Sequence, residues 1–202
     1  MSNIIHLHET VSTNQYVKDM LKSGVHFPDF TIVETDFQTA GRGQSDHKWE
    51  SQRGANILMS IIIHPLFLDA KDQFIISQSI AISIQRTLSE YIDDVRVKRP
   101  NDIYWRNKKI SGILIECNLE STRIKDCVIG IGLNVNQTKF CSDAPNPVSL
   151  ATIVGLTFDK SKIQTRIMEH FRQLYDKIQQ GNTQEIIDEY ERNIYDPTTY
   201  KD

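Results

Sequence analysis

The chain has 202 residues, 39% of them hydrophobic and 24% charged, with a formal net charge of −3. That length suits one domain, and the composition excludes a disordered chain. The slight acidic excess, without a basic cluster, argues against non-specific nucleic-acid binding, which needs surplus Lys and Arg to neutralise phosphates.

No apolar run approaches the roughly 20 residues that span a bilayer. The opening MSNIIHLHETVST lacks the regions of a signal peptide. A cytoplasmic protein with no membrane partner is expected. Cys117, Cys127 and Cys141 form no CxxC pair, so structural zinc is not expected and the thiols read as reduced.

Asn3–His8 predicts a short strand. A helix follows over about Thr13–Ser23: Ser12 or Thr13 caps it, Val17, Met20 and Leu21 share a face, and Gly24 ends it. Phe30–Thr35 reads as a strand and Asp36–Gly54 as a polar, glycine-containing loop. Asn56–His64 is apolar and β-branched, a buried strand ended by Pro65. Asp69 opens a long helix to about Ile92, with Phe74, Ile80, Ala81, Ile84, Leu88 and Tyr91 at helical spacing. Four strands follow: Val95–Lys98, Asp102–Trp105, Lys109–Cys117 and Ile124–Val135. The short turns Arg106–Lys108 and Ser121–Arg123 make hairpins of them, because parallel neighbours need long crossovers. After a Pro/Asn loop over Asn136–Val148, Ser149 caps a brief helix ending at Gly155. Asp159–Gln180 is an amphipathic helix with Ile163, Ile167, Phe171, Leu174 and Ile178 inward, and a last helix covers about Thr183–Asn193. The expected fold class is α+β, a mixed, largely antiparallel sheet with flanking helices. Residues 1–180 form the main domain and 181–202 a C-terminal helix and tail.

Five segments carry chemistry. Gln38-Thr-Ala-Gly-Arg-Gly-Gln-Ser-Asp-His-Lys-Trp49 contains a GxG followed by a strand, which rules out a dinucleotide fingerprint, and it has no Walker lysine. Two readings stay open: an anion-binding nest of backbone N–H groups with Arg42 and Lys48 adding charge, or an ordinary surface loop. Lys98-Arg-Pro-Asn-Asp102 sets a lysine, an amide and a carboxylate on a proline-stiffened turn. Such a turn suits a polar ligand, or equally a solvated Asn-Asp turn. In Lys108-Lys-Ile-Ser-Gly-Ile-Leu-Ile-Glu116, Lys109 opens a strand and Gly112 permits close approach of a ligand or of backbone. The glycines of Ile129-Gly-Ile-Gly-Leu-Asn-Val-Asn136 leave space for something flat or bulky, or mark a bulge or close strand packing. Ser12-Thr13-Asn14 place three hydrogen-bonding side chains at a helix start, where capping explains one.

In this order, STN, QxAGRG…W, KxPND, KKxxGIL(I/V)E and GIGxNVN resemble the catalytic domain of bacterial biotin protein ligases, from about Glu9 to Leu150. The resemblance implies the biotin–lipoate ligase fold, similar to class II aminoacyl-tRNA synthetases. It implies biotin and ATP with Mg²⁺ as substrates, no metal held by the protein itself, and a biotin carboxyl carrier protein as acceptor. Carried over by motif, Ser12, Thr13 and Gln38 meet the ureido ring, with Asn14 beside them. Gly41, Arg42, Gly43 and Gln44 wrap the carboxylate, and Lys109 binds it. Lys98 sits near the phosphates, and Asp102 orients biotin. Trp49 and Asn134 contact adenine, and Gly112 leaves room for the ligand. Arg42, Lys98, Asp102 and Lys109 form the expected catalytic set.

Two departures imply slower adenylation with biotin binding kept. Ser45-Asp46-His47 stand where the family pattern carries an arginine and a glycine, and Arg99 stands where a tryptophan is usual. The chain opens without a helix-turn-helix, so DNA is not an expected partner, and it stops short of the family's small C-terminal β-barrel. A homodimer and a monomer both remain open. The alternatives are a non-catalytic or weakly active biotin-binding paralogue, and a lipoate- or octanoyl-transferring relative.

Overall fold

The computed structural model describes residues 3–44, 47–141 and 146–200. Ser45 and Asp46, two of the three residues of the loop departure, lie outside the described residues.

Seven strands form one sheet in the order β1-β2-β3-β7-β6-β5-β4. β1 (Ile4–Leu7) runs parallel to β2 (Thr31–Thr35), and every other neighbouring pair is antiparallel. The crossover between β1 and β2 is α1 (Thr13–Lys22), ended as expected by Gly24 at φ +88°. β3 (Ile57–Ile63) is buried throughout.

The hairpins link β4 (Val95–Lys98), β5 (Asp102–Trp105), β6 (Lys108–Glu120) and β7 (Arg123–Leu133). The β5–β6 and β6–β7 turns each have two residues, with Arg106 and Ser121 at positive φ, as tight hairpins require. β6 runs three residues past its predicted end, because polar Asn118 and Glu120 pair in the ladder after the apolar pattern fades.

Alternate residues separate the two faces. One face carries the main core, built from Ile32, Met59, Ile61, Ile113, Ile129 and Ile131 against three helices: α2 (Phe74–Ser89), α4 (Lys160–Gln179) and α5 (Gln184–Arg192). The inward set predicted for α4 is buried. α2 is shorter than predicted. Asp69 pairs with Arg123 at 3.2 Å instead of capping, and a single 3₁₀ turn, Ala70–Asp72, precedes the helix. Phe74, expected inward, is 46% exposed, because it is the first residue of α2; its ring meets Tyr190 in a T-shaped pair with centroids 5.8 Å apart.

α5 buries Ile186 and Tyr190 in the main core. The chain beyond it lies along β4, with Val97 N–H donating to Asn193 O (2.8 Å) and Tyr195 N–H to Val97 O (2.8 Å), which covers that sheet edge. A short helix, α3 (Leu150–Val154), is capped by Ser149 as expected, its hydroxyl accepting from Thr152 N–H. On the opposite face a smaller cluster of Val17, Phe27, Val33, Ile62 and Val128 seats α1. Cys117 and Cys127 are cross-strand partners with sulfurs 3.1 Å apart, and all three cysteines are free thiols. Among the described residues no helix is long and apolar enough to cross a membrane.

Candidate active site

The register of β6 and β7 decides where the site lies. Because Ile113, Ile129 and Ile131 face the main core, Gly112, Leu114, Gly130 and Gly132 face the other way, and Gly112 pairs with Gly132 and Leu114 with Gly130. This low strip is the floor of a cavity of about 670 Å³ beside the start of α1.

The flat group over the glycines is the protein's own Trp49. A Cβ at Gly132 would lie 2.7 Å from Trp49 Cζ2, and one at Gly112 3.0 Å from Trp49 Cζ3. Gly112 therefore makes room for Trp49, where the resemblance gave that room to the ligand. A Cβ at Gly130 would lie 2.5 Å from Asn14 Oδ1, so the third glycine admits the Asn14 amide.

One end of the cavity is neutral and hydrogen-bonded. Ser60, the polar residue inside the ILMSIII strand, has its hydroxyl 2.7 Å from Thr13 Oγ1 and 2.6 Å from Asn14 Oδ1. Asn14 Nδ2 donates to Leu114 O (3.1 Å) and Glu116 Oε2 (2.9 Å). Both ends of the Asn14 amide are thus held by protein, and this residue frames the pocket instead of offering itself to a ligand. Thr13 donates to Gln38 Oε1 through both its N–H (2.8 Å) and its hydroxyl (3.3 Å). These bonds fix the Gln38 amide, leaving Nε2 as its donor end. Ser12 is the N-cap residue but makes no side-chain cap bond, because Gln38 reaches the first turn instead. Its side chain lines the cavity.

The other end is cationic. Lys109 Nζ lies 2.7 Å from Asp102 Oδ1 and 5.7 Å from the Trp49 ring centroid. Lys98 donates to the Tyr104 hydroxyl (3.0 Å) and sits 4.5 Å over its ring, and that hydrogen bond holds its ammonium above the ordinary lysine range. Arg42 rests on the α1 side, donating to Gln15 Oε1 (3.2 Å) with Glu116 at 3.9 Å. Burial pushes the Glu116 carboxyl up, but the hydrogen bonds from Lys18 and Asn14 and the Lys18 and Arg42 charges outweigh it and hold it below the usual carboxylate range.

The described residues of the glycine loop pair with one another. Gly43 N–H donates to His47 O (2.6 Å) and Trp49 N–H to Gly41 O (2.9 Å). Gly43 and Gln44 line the cavity, but Gly41 does not. A Cβ there would lie 2.7 Å from Trp49 O, so its bareness serves the hairpin crossing. Asn134 donates through Nδ2 to Val148 O (3.1 Å), while its Oδ1 and Trp49 Nε1 are buried without a partner. Arg99 turns away from the cavity, binding the Glu191 carboxylate of α5 and lying 5.9 Å from the Tyr190 ring centroid.

The structure thus gathers Ser12, Thr13, Asn14, Gln38, Arg42, Gly43, Gln44, Trp49, Lys98, Asp102, Lys109, Gly112 and Asn134 around one cavity. Sequence reasoning missed Ser60, Tyr104 and Glu116. For Ser60 the signal was present, as a lone hydroxyl in a fully apolar strand.

A mixed sheet with a half-neutral, half-cationic cavity on one face defines an α+β domain of two packed layers. The chain belongs to the biotin/lipoate A/B protein ligase family, whose sequence model matches residues 8–134. It is 32% identical over 176 residues to the bifunctional ligase/repressor BirA of Bacillus subtilis, covering 83% of this chain and 52% of that protein. It is 26% identical over 164 residues to the biotin–[acetyl-CoA-carboxylase] ligase of Mycobacterium tuberculosis, covering 79% and 59%. The biotin protein ligase of Aquifex aeolicus, solved in complex with biotin and ATP, superposes with a TM-score of 0.82 at 25% identity, over 96% of this chain and 79% of that one. The chain spans about half the length of the curated relatives it matches.

Proposed function

We propose that this domain activates biotin with ATP to biotinyl-5′-AMP and passes biotin to a lysine of a biotin carboxyl carrier protein, in the cytoplasm. The observation that carries the reading is the two-ended cavity: neutral partners at Ser12 and at the hydrogen-bonded Thr13 and Gln38, and the Lys109–Asp102 pair with Lys98 at the other end. Biotin has the same polarity, with a ureido ring of two donors and one acceptor at one end and a carboxylate at the other. A buried ureido group needs matched partners, because each one left unpaired costs about 1–3 kcal/mol.

In the first step a biotin carboxylate oxygen attacks the α-phosphorus and pyrophosphate leaves. In the second the acceptor's lysine amine attacks the acyl carbon, AMP leaves, and one proton is lost. Both steps crowd anions together, so fixed positive charge is the protein's main contribution. Lys109 is held in place by Asp102 until a substrate carboxylate competes for it. Asp102, released by that exchange, is then the base nearest the incoming amine. Lys98, held by the Tyr104 hydroxyl, faces the phosphates.

Trp49 offers a ring for adenine to stack on, and Asn134 Oδ1 an acceptor for its amino group. Asp102 and Glu50 are the carboxylates among the described lining residues. Such a set suits Mg²⁺ that arrives on the nucleotide phosphates, and the ion would supply charge neutralisation there. Arg42 must leave Gln15 and Glu116 to reach either anion.

Mass spectrometry of the small molecules formed from protein, biotin and MgATP tests the reading. Biotinyl-5′-AMP is expected, and no adenylate when lipoate replaces biotin. A sample that binds biotin yet forms no adenylate, or that adenylates lipoate instead, would overturn it.

A further inference from the structure

On the sheet face away from the cavity, at the β1–β2 edge, a second group of side chains converges. His6 lies on β1 and His8 just past its end, with their ring centroids 5.6 Å apart. β1 pairs with β2 in a register that sets His6 opposite Glu34, and Asp36 follows one residue past β2. His6 Nε2 lies 3.3 Å from Asp36 Oδ2, and His8 Nδ1 lies 3.6 Å from the same oxygen. We propose that His6, His8 and Asp36 bind a divalent transition-metal ion, zinc in first place.

Ligand chemistry and spacing both favour it. Two imidazoles and one carboxylate are a common zinc set, and bonds of about 2.0–2.2 Å at tetrahedral angles put ligand atoms roughly 3.4 Å apart. The three offered atoms lie within 4.8 Å of one another, so small rotations of the exposed His8 ring complete the approach. The arrangement behind the ligands supports the same reading. His6 Nδ1 is 3.1 Å from Glu34 Oε1, which commits that nitrogen as the donor and turns Nε2 toward Asp36. Glu34 is itself held by Gln164 of α4, whose Nε2 donates to Oε2 at 2.7 Å. A carboxylate behind a histidine is the usual support of a metal-binding imidazole.

The nearby cations do not fill the position. Lys160, in the adjoining cleft, donates to Asn56 O (3.3 Å), and Arg53 donates to His8 O (3.3 Å) and binds Glu9. Water completes the coordination at this open edge. The ion ties together the two segments that lead into Thr13 and Gln38, whose crossing is the Thr10–Gln38 bridge.

Zinc titrated into the untagged chain against a chromophoric chelator at neutral pH reads stoichiometry and affinity. One tight zinc per chain is expected. His8→Ala weakens it at least about tenfold, Glu34→Gln weakens it about 10–100-fold, and His6→Ala/His8→Ala abolishes it. His26→Ala, which removes the ring stacked on His64 elsewhere in the fold, leaves it unchanged. Melting curves without zinc confirm that each variant is folded, and zinc raises the melting temperature of the wild type but not of the double variant. Zinc binding equally tight in wild type and in the double variant, whether strong or at background, would overturn the proposal.

Discussion

Ile131 and Gly132 are neighbours on β7 and face opposite ways. Ile131 is buried in the main core, where β-branched side chains from six strands fill the space under α2, α4 and α5. Gly132 contributes nothing to its own face, and the gap it leaves holds the ring of a residue from a distant loop. The same contrast recurs at Ile113 against Gly112 and at Met59 against Ser60. One face is filled for stability. The other is kept low and polar, so that α1, the glycine loop and the cavity can share it.

Three substitutions sharpen this contrast. Ile131→Ala should cost about 2–5 kcal/mol, the usual penalty for a cavity in a closed core. Chemical denaturation would register it, and activity per folded molecule should stay near wild type. Gly132→Val should do the reverse. The strand accepts valine readily, but Trp49 must leave its seat, and misplacing a site element on this scale costs on the order of 100-fold in turnover. A normal melting temperature with lost adenylation is expected. Equal damage to stability from both changes would dissolve the distinction between the faces.

Glu116→Gln is the smallest of the three, at roughly 1–2 kcal/mol from weakened bonds to Lys18 and Asn14. Its pH dependence has a defined sign. The Glu116 carboxyl is held below its ordinary value in the fold, so its contribution is present above the unfolded value and is lost as pH falls through the folded one. The gap between wild type and variant should therefore close in acid, as followed by melting temperature against pH.

The core face was legible because period-two isoleucines and helical spacing need no partner to be recognised. The hairpins were legible from turn length, and the site's members from the order of five short motifs. What the glycines were for was not legible. GIG in a strand announces a gap, but whether Trp49, Asn14 or a ligand fills it depends on contacts between residues far apart in the chain. The same holds for Asn14, whose amide bonds reach across to β6, and for Arg99, whose partner Glu191 lies on the last helix. The α2 boundary slipped for a similar reason, since Asp69 found Arg123 and not a helix start.

The central claim is that the cationic end of this cavity drives an acyl-adenylation, and Lys109 is its fixed charge. The most direct test is the single-turnover rate of biotinyl-5′-AMP formation in Lys109→Ala against wild type, with melting curves alongside. Removing one fixed charge from a developing anion should slow the reaction by about 10²–10³-fold at an unchanged melting temperature. Adenylate formed at the wild-type rate by Lys109→Ala would contradict the account.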